Sequence, residues 1–294
     1  MSEATRTALP RPGHGAAANP PGRWRPAPLI RAAFALHGAG ALALLFEFGW
    51  WPWVLGAVAM SHLALCFAVL WPRATWLGPN LTRLPAAAAA RGEMALTFDD
   101  GPDPEVTPLV LDLLDAHGMR ASFFCIAEKA EAHPDLLREI LRRGHQIENH
   151  SYHHHAGFSF YGYFRLGREV DAAQAVLAGI GGRAPQFFRA PAGFRSPFLD
   201  PVLAHRGLRY VSWTRRGYDA VKRDPARILG RLTHRLAAGD ILLLHDGAGA
   251  RTDAGVPVVL AVLPALLEQL RARGLKSVPL AMAYAVGDGE GRAS

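Results

Sequence analysis

Cysteine is nearly absent. Only Cys66 and Cys125 occur in 294 residues, which excludes a disulfide framework, and even one bridge is not expected, because Cys66 lies in an apolar run and Cys125 in a strand-like one. Charge is scarce as well: 19% of residues are Asp, Glu, Lys or Arg, against 50% hydrophobic. The apolar excess gathers near the N-terminus, which points to a membrane segment beside an ordinary soluble core. The formal charge of +7 comes from scattered arginines, several of them flanking the apolar segment. With no dense basic run and no interleaved aromatics, nucleic acid is not an expected partner. No internal repeat is visible, and the length suits one domain of about 200 residues with an appendage, not two full domains.

Residues 1–28 are rich in Pro, Gly, Ala and Arg without apolar periodicity, and are read as a disordered tail. The apolar region that follows starts too late and runs too long for a cleaved signal peptide. Between Leu29 and Trp71 the only charged side chains are Arg31 and Glu47, and about 40 such residues match two spans of roughly 20. A helical hairpin over 29–71 is therefore predicted, breaking at FGWWPW (48–53), where Gly49 and Pro52 supply a turn and the tryptophans suit a membrane interface. Residues 72–92, with Pro72, Pro79, Pro85 and a run of five alanines, read as a connector.

From 93 to 294 the pattern alternates. Strand-like runs at 93–98, 121–126, 146–149, 187–190, 210–214, 240–245 and 276–280 are separated by helical periodicity, as in Val106, Leu109, Val110, Leu113 and Leu114. Further helical stretches lie at 128–143, 163–179, 224–238 and 256–273, and Gly118, Gly144, Gly207 and Gly274 sit where helices should stop. Strands interleaved with helices predict an α/β fold, an irregular (β/α)7 barrel left open because an eighth unit is missing.

In such a barrel, chemistry belongs at the C-terminal strand ends. The first run ends in Asp99 and Asp100, the third in Asn149 and His150, the fourth in Arg189, the sixth in His245 and Asp246. Within TFDDGPDP (97–104), adjacent acids at a strand end diverge, so one carboxylate can face a metal and the other a substrate. In the following HSYHHH segment, His150 and His154 converge if the chain turns helically, although His153 and His155 leave the choice of pair open. Imidazole with carboxylate suits zinc and its neighbours.

Together these elements resemble the polysaccharide deacetylase family, carbohydrate esterases with the NodB-homology domain, over about 93–281. The resemblance implies a metal triad of Asp100, His150 and His154 and a catalytic base at Asp99. It matches the R-x-P motif to Arg189 and Pro191 in FRAPAG, the tryptophan-to-aspartate element to Trp213 and Asp219 in WTRRGYD, and the L-x-H motif to Leu243 and His245 in LLLHD. Where the family often has an aromatic residue after that proline, this chain has Ala192. The implied activity is removal of N-acyl groups from an amino sugar with one divalent metal ion, zinc, with Co, Ni or Mn as alternatives. Asp99 would take the water proton, Arg189 would orient Asp99, and His245 with Asp219 would protonate the amine. The Ala192 backbone N–H would meet the oxyanion, and Trp213 and Leu243 would wall the acyl methyl.

Two other readings stay open. One is a relative of the deformylases that process undecaprenyl-phosphate aminosugars, acting on a lipid-linked amino sugar in place of a polymer; the other is an inactive membrane-bound carbohydrate-binding scaffold. The tail before the hairpin carries Arg6, Arg11, Arg23, Arg25 and Arg31 against Glu3, and the connector carries Arg73, Arg83 and Arg91, while the turn between spans has no Lys or Arg. Both ends of the hairpin should stay inside. The expected location is thus the cell inner membrane, with a two-span anchor and a cytoplasmic catalytic domain.

Overall fold

The computed structural model describes residues 24–285. Most of the tail read as disordered, and the last nine residues of the chain, lie outside the described residues. Helix α1 (Pro28–Phe46) and helix α2 (Trp51–Leu70) fold back on each other through a single 3-10 turn, Phe48–Trp50. That turn is closed by Glu47, whose Oε1 accepts the Gly49 N–H at 3.0 Å. At the helix crossing, Gly40 lets Val54 approach so closely that an added Cβ would lie 2.8 Å from its methyl. Both helices are long and apolar enough to cross a membrane, and only 11% and 6% of their apolar windows are buried. A core helix of a soluble protein would be mostly covered.

The rest of the described chain is a curled, open α/β barrel. A short helix α3 (Ala86–Ala90) leads into strand β1 (Glu93–Asp99), then α4 (Thr107–Ala116), β2 (Ala121–Cys125), α5 (Ala127–Ala132), α6 (Pro134–Arg142) and β3 (Gln146–Asn149). The second half runs α7 (Tyr163–Gly181), β4 (Phe187–Phe188), α8 (Leu199–Ala204), β5 (Arg209–Tyr210), β6 (Arg215–Arg216), α9 (Pro225–Thr233), β7 (Ile241–His245), α10 (Val258–Ala272), β8 (Lys276–Ser277) and α11 (Leu280–Ala285). The sheet order is β5-β4-β3-β2-β1-β7-β6, with β8 pairing the start of β1, and these pairings are parallel.

The alternation of β1 decides what faces where. Met94, Leu96 and Phe98 enter the cluster shared with α4 and α10, while Ala95 joins the opposite cluster with Ile241. Asp99, one step past Phe98, therefore projects from the inner face. Phe98 and Phe123 are fully buried with ring centroids 5.0 Å apart, and truncating either to Ala costs about 3–5 kcal/mol.

Three details differ from the sequence expectation. The run read as a strand over 210–214 ends at Tyr210, and a separate two-residue strand, β6, follows at Arg215–Arg216. The run at 276–280 is a strand only through Ser277, since Pro279 begins the turn into α11, where the N–H of Ala283 bonds to the carbonyl of Pro279. The stretch at 128–143 is two helices divided at His133-Pro134, because proline disfavours helical backbone in the residue before it.

The connector is part of the barrel. Strands β5 and β6 are the two ends of the sheet order, and residues 81–84 lie between them. The Leu81 N–H donates to the Tyr210 carbonyl and the Ser212 N–H to the Leu81 carbonyl, each at 3.0 Å, while Leu84 donates to Gly239 at 2.8 Å. The Thr82 carbonyl accepts from Thr214 Oγ1 at 2.5 Å.

Candidate active site

Parallel pairing of β1 with β7 puts Asp99 directly opposite His245. The chain then leaves β1 through Asp100 in a left-handed conformation, φ 72°, and three more non-glycine residues here share that conformation: Ser151 (66°), His154 (53°) and Ala192 (54°). Such residues are uncommon outside glycine and persist where surrounding contacts hold them. Those contacts are visible: Lys129 Nζ donates to the Asp100 carbonyl at 2.7 Å, Asn149 Oδ1 accepts the Ser151 N–H at 2.8 Å, and Ser151 Oγ accepts the His154 N–H at 3.1 Å.

This turn brings His150 and His154 onto one carboxylate. His154 Nε2 is 3.1 Å, and His150 Nε2 3.3 Å, from Asp100 Oδ1, and one donor atom from each of the three residues lies within 4.8 Å of the others. His153 turns away to Glu169, at 2.9 Å, and His155 packs edge-on against Tyr161. Of the four histidines, His150 and His154 are the pair whose rings face Asp100. His150 Nδ1 lies 2.8 Å from the Arg189 carbonyl, so an N–H at Nδ1 serves that acceptor and Nε2 is the ring nitrogen that faces Asp100.

Asp99 sits beside the triad, 3.8 Å from His150 Nε2. Arg189, fully buried, reaches across the barrel to hold it: Nη1 contacts Asp99 Oδ1 at 2.5 Å and Thr97 Oγ1 at 2.9 Å, and Nη2 donates to the Ser212 carbonyl at 2.9 Å. Its guanidinium lies 4.0 Å over the Phe124 ring. On the other wall, His245 Nδ1 is 2.9 Å from Asp219 Oδ1, and the His245 backbone N–H donates to Asp219 Oδ2 at 2.7 Å. Trp213 and Leu243 are buried, whereas Ala192 is exposed at the rim.

Electrostatics follow from this packing. Burial alone would raise the Asp100 carboxyl, but the hydrogen bond from His150 and the charges of His150, His154 and His245 outweigh it and hold Asp100 well below the usual carboxylate range. His150 is raised, burial being outweighed by Asp99 and Asp100. His154 is pushed down to about 4 by burial and by the neighbouring His150 charge, despite Asp100. In His245 burial is again outweighed, here by Asp219, and the imidazole rises to about 9.

Several supporting groups carry no signal in sequence spacing. Thr97 and Lys129 act through contacts made only on folding, as does Ser212. Asp246 is visible as the residue after His245, but its partner is not: Thr107 Oγ1 donates to its Oδ2 at 2.6 Å, and burial pushes Asp246 up to about 7.

The chain is similar to known proteins in sequence and in fold. A family model described as Polysaccharide deacetylase matches residues 87–211. A chitooligosaccharide deacetylase from Sinorhizobium fredii is 32% identical over 207 residues, covering 68% of this chain and 96% of its own. The chain belongs to the polysaccharide deacetylase family. It is a carbohydrate deacetylase, a hydrolase. A peptidoglycan-N-acetylglucosamine deacetylase from Bacillus cereus is 29% identical over 206 residues, covering 69% of this chain and 89% of its own. Among solved structures, a family 4 carbohydrate esterase from Streptomyces lividans in complex with acetate matches with a TM-score of 0.56 and 32% identity, covering 62% and 90% of the two chains. A peptidoglycan N-acetylglucosamine deacetylase matches with a TM-score of 0.62 and 26% identity, covering 69% and 92%.

Proposed function

We propose that this deacetylase is metal-dependent and removes N-acetyl groups from an amino-sugar substrate, polymeric or lipid-linked. The observation that carries the reading is the convergence of Asp100, His150 and His154 beside the Arg189-held Asp99, across from the His245–Asp219 pair. The donor set fits a divalent cation: the buried Asp100 Oδ1 has no polar partner beyond the two imidazole nitrogens that flank it at 3.1 and 3.3 Å. Three protein ligands of this type suit zinc, with Co, Ni or Mn as neighbours. Such an ion, when bound, polarises the amide carbonyl and makes the attacking water more acidic.

The remaining chemistry belongs to the chain. Asp99 accepts the proton of the attacking water, and Arg189 keeps its carboxylate oriented through the 2.5 Å contact. The Ala192 backbone N–H is the donor assigned to the developing oxyanion. His245, cationic beside Asp219, delivers a proton from Nε2 to the departing amine, since Nδ1 is engaged by the carboxylate. Trp213 and Leu243 supply the apolar wall for an acyl methyl.

The same reading places α1 and α2 in the cell inner membrane and the barrel in the cytoplasm, on the arginine distribution around the hairpin. Metal analysis, followed by chelation and reconstitution with acetate release from N-acetylated oligosaccharides as the readout, tests the activity. A protein that binds sugar but releases no acetate in any metal would refute it. A phosphatase fused after Ser294 tests the topology, and activity of that fusion would place the barrel outside.

A further inference from the structure

The end of α2 and the wall of the active site are one packed unit. Phe67 in the last turns of α2, Trp71 just after it and Trp76 in the connector form a three-ring cluster, with centroids 5.5, 6.0 and 5.9 Å apart. All three rings are about half exposed, as suits aromatic side chains at the level of lipid headgroups. Pro72 follows at once. A β-carbon built on Gly193 would lie 3.1 Å from Pro72 Cβ and 2.5 Å from the Trp213 ring. Hence Pro72, the second residue past α2, touches the loop that presents Ala192, beside the proposed acyl wall.

Asn80 fastens the same join: its Nδ2 donates to the Pro72 carbonyl at 2.9 Å and the Ala74 carbonyl at 3.2 Å. Its Oδ1 accepts from Ser212 Oγ at 2.9 Å, and the Ser212 carbonyl is the one that holds Arg189. A 20-residue α2 spans about 30 Å, the thickness of the hydrocarbon core. With the end of α2 at the bilayer surface, Pro72 sets the loop that carries Ala192 beside that surface.

At this junction lies a pocket of ≈ 320 Å³ lined by Trp71, Arg73, Ala74, Thr75, Trp76 and Thr82. Arg73 is its one charged lining residue, with no acid among the others. The guanidinium is exposed, and one Nη1–H donates to the Thr214 carbonyl at 3.3 Å, beside Trp213. A guanidinium framed by two tryptophans and two threonines at the end of a membrane span matches a phosphate ester held at the interface.

We propose that this pocket binds the phosphate of a lipid-borne substrate, an N-acylated amino sugar joined through phosphate to a carrier lipid in the same bilayer as α1 and α2. The inference rests on the deacetylase reading and on the two helices being spans, and it selects the lipid-linked substrate over the polymer. Pro72, next to Arg73, packs on Gly193, Gly193 packs on the Trp213 ring, and that ring lies 5.8 Å from the Arg189 guanidinium that holds Asp99, so packed residues join the pocket to the wall of the site.

The test uses the full chain in nanodiscs and follows acetate release from N-acetylglucosaminyl polyprenyl phosphate and from a soluble N-acetylated chitooligosaccharide. The expected kcat/KM ratio favours the lipid-linked substrate by at least about tenfold, and Arg73→Gln and Trp76→Ala each bring that ratio toward one. Polyprenyl phosphate without sugar should compete with the lipid-linked substrate, while inorganic phosphate and phosphatidylglycerol vesicles should not. Equal turnover of the two substrates, or a ratio unchanged in both variants, overturns the pocket and leaves the deacetylase standing. Equal inhibition by inorganic phosphate or by the vesicles also overturns it, by assigning the pocket to a free anion or a bulk headgroup. Acetate from neither substrate, with metal bound, defeats the deacetylase reading itself.

Discussion

Replacing Asp219 by Asn tests the proposed proton donor with a change of almost no volume. In the native protein the carboxylate engages both Nδ1 and the backbone N–H of His245, at 2.9 and 2.7 Å, and with it the imidazole sits at about 9. An amide retains one acceptor but no charge, so the imidazole should fall toward its ordinary value of about 6.5. That displacement corresponds to about 3 kcal/mol between the protonation states. At pH 8 a group at about 9 is about 90% protonated and one at about 6.5 about 3%, so a reaction that needs the cationic form should slow by about 30-fold. At pH 6 both are largely protonated and the loss should be under about twofold. A bound divalent cation lowers both values together, moving the pH at which the curves part without closing the gap. The assay is kcat for acetate release from an N-acetylated oligosaccharide between pH 5.5 and 9. A loss equal at all pH values would make Asp219 a structural residue, and an unchanged basic limb would remove His245 as the acid. The stability effect has a definite sign. Because the folded His245 value is raised, the pair's contribution is complete below about 6.5 and is lost as pH rises through about 9.

Asp100→Ala, His150→Ala and His154→Ala should each strip the metal and abolish turnover, while His153→Ala, whose native contact is Glu169, and His155→Ala keep metal content near that of the parent; elemental analysis of purified variants checks this. Asp99→Asn should retain metal and lose about 10² to 10⁴ in kcat, and full turnover by that variant would remove Asp99 as the base. Arg189→Leu leaves the buried Asp99 carboxylate without its ion-pair partner, which costs about 3–5 kcal/mol. Thermal unfolding should move down by about 10 °C, and a midpoint within about 2 °C of the parent would contradict the buried pairing.

Apolar period and polar strand ends mark, in the sequence itself, the hairpin break, the α/β class and the strands that lead to Asp99, His150, Arg189 and His245. Those signals are local. A strand buried on both faces must be apolar until it surfaces, so the polar residues that close ILLLH and EMALTFD announce the mouth of the barrel. The short edge strands were blurred for the same reason. Two-residue strands such as β5 and β6 have no periodicity to read, and their pairing depends on neighbours far along the chain.

Residue types and order were thus set by the sequence alone: two long apolar helices, a parallel barrel, carboxylates and imidazoles at its strand ends. Which histidines share a carboxylate was decided by tertiary structure, because the left-handed backbone at Ser151 and His154 depends on Asn149 and its neighbours and not on spacing. The same is true of the connector. Nothing in a proline-rich linker foretells that residues 81–84 lie between the two sheet edges or that Pro72 packs on the active-site loop, since those contacts join segments more than 100 residues apart.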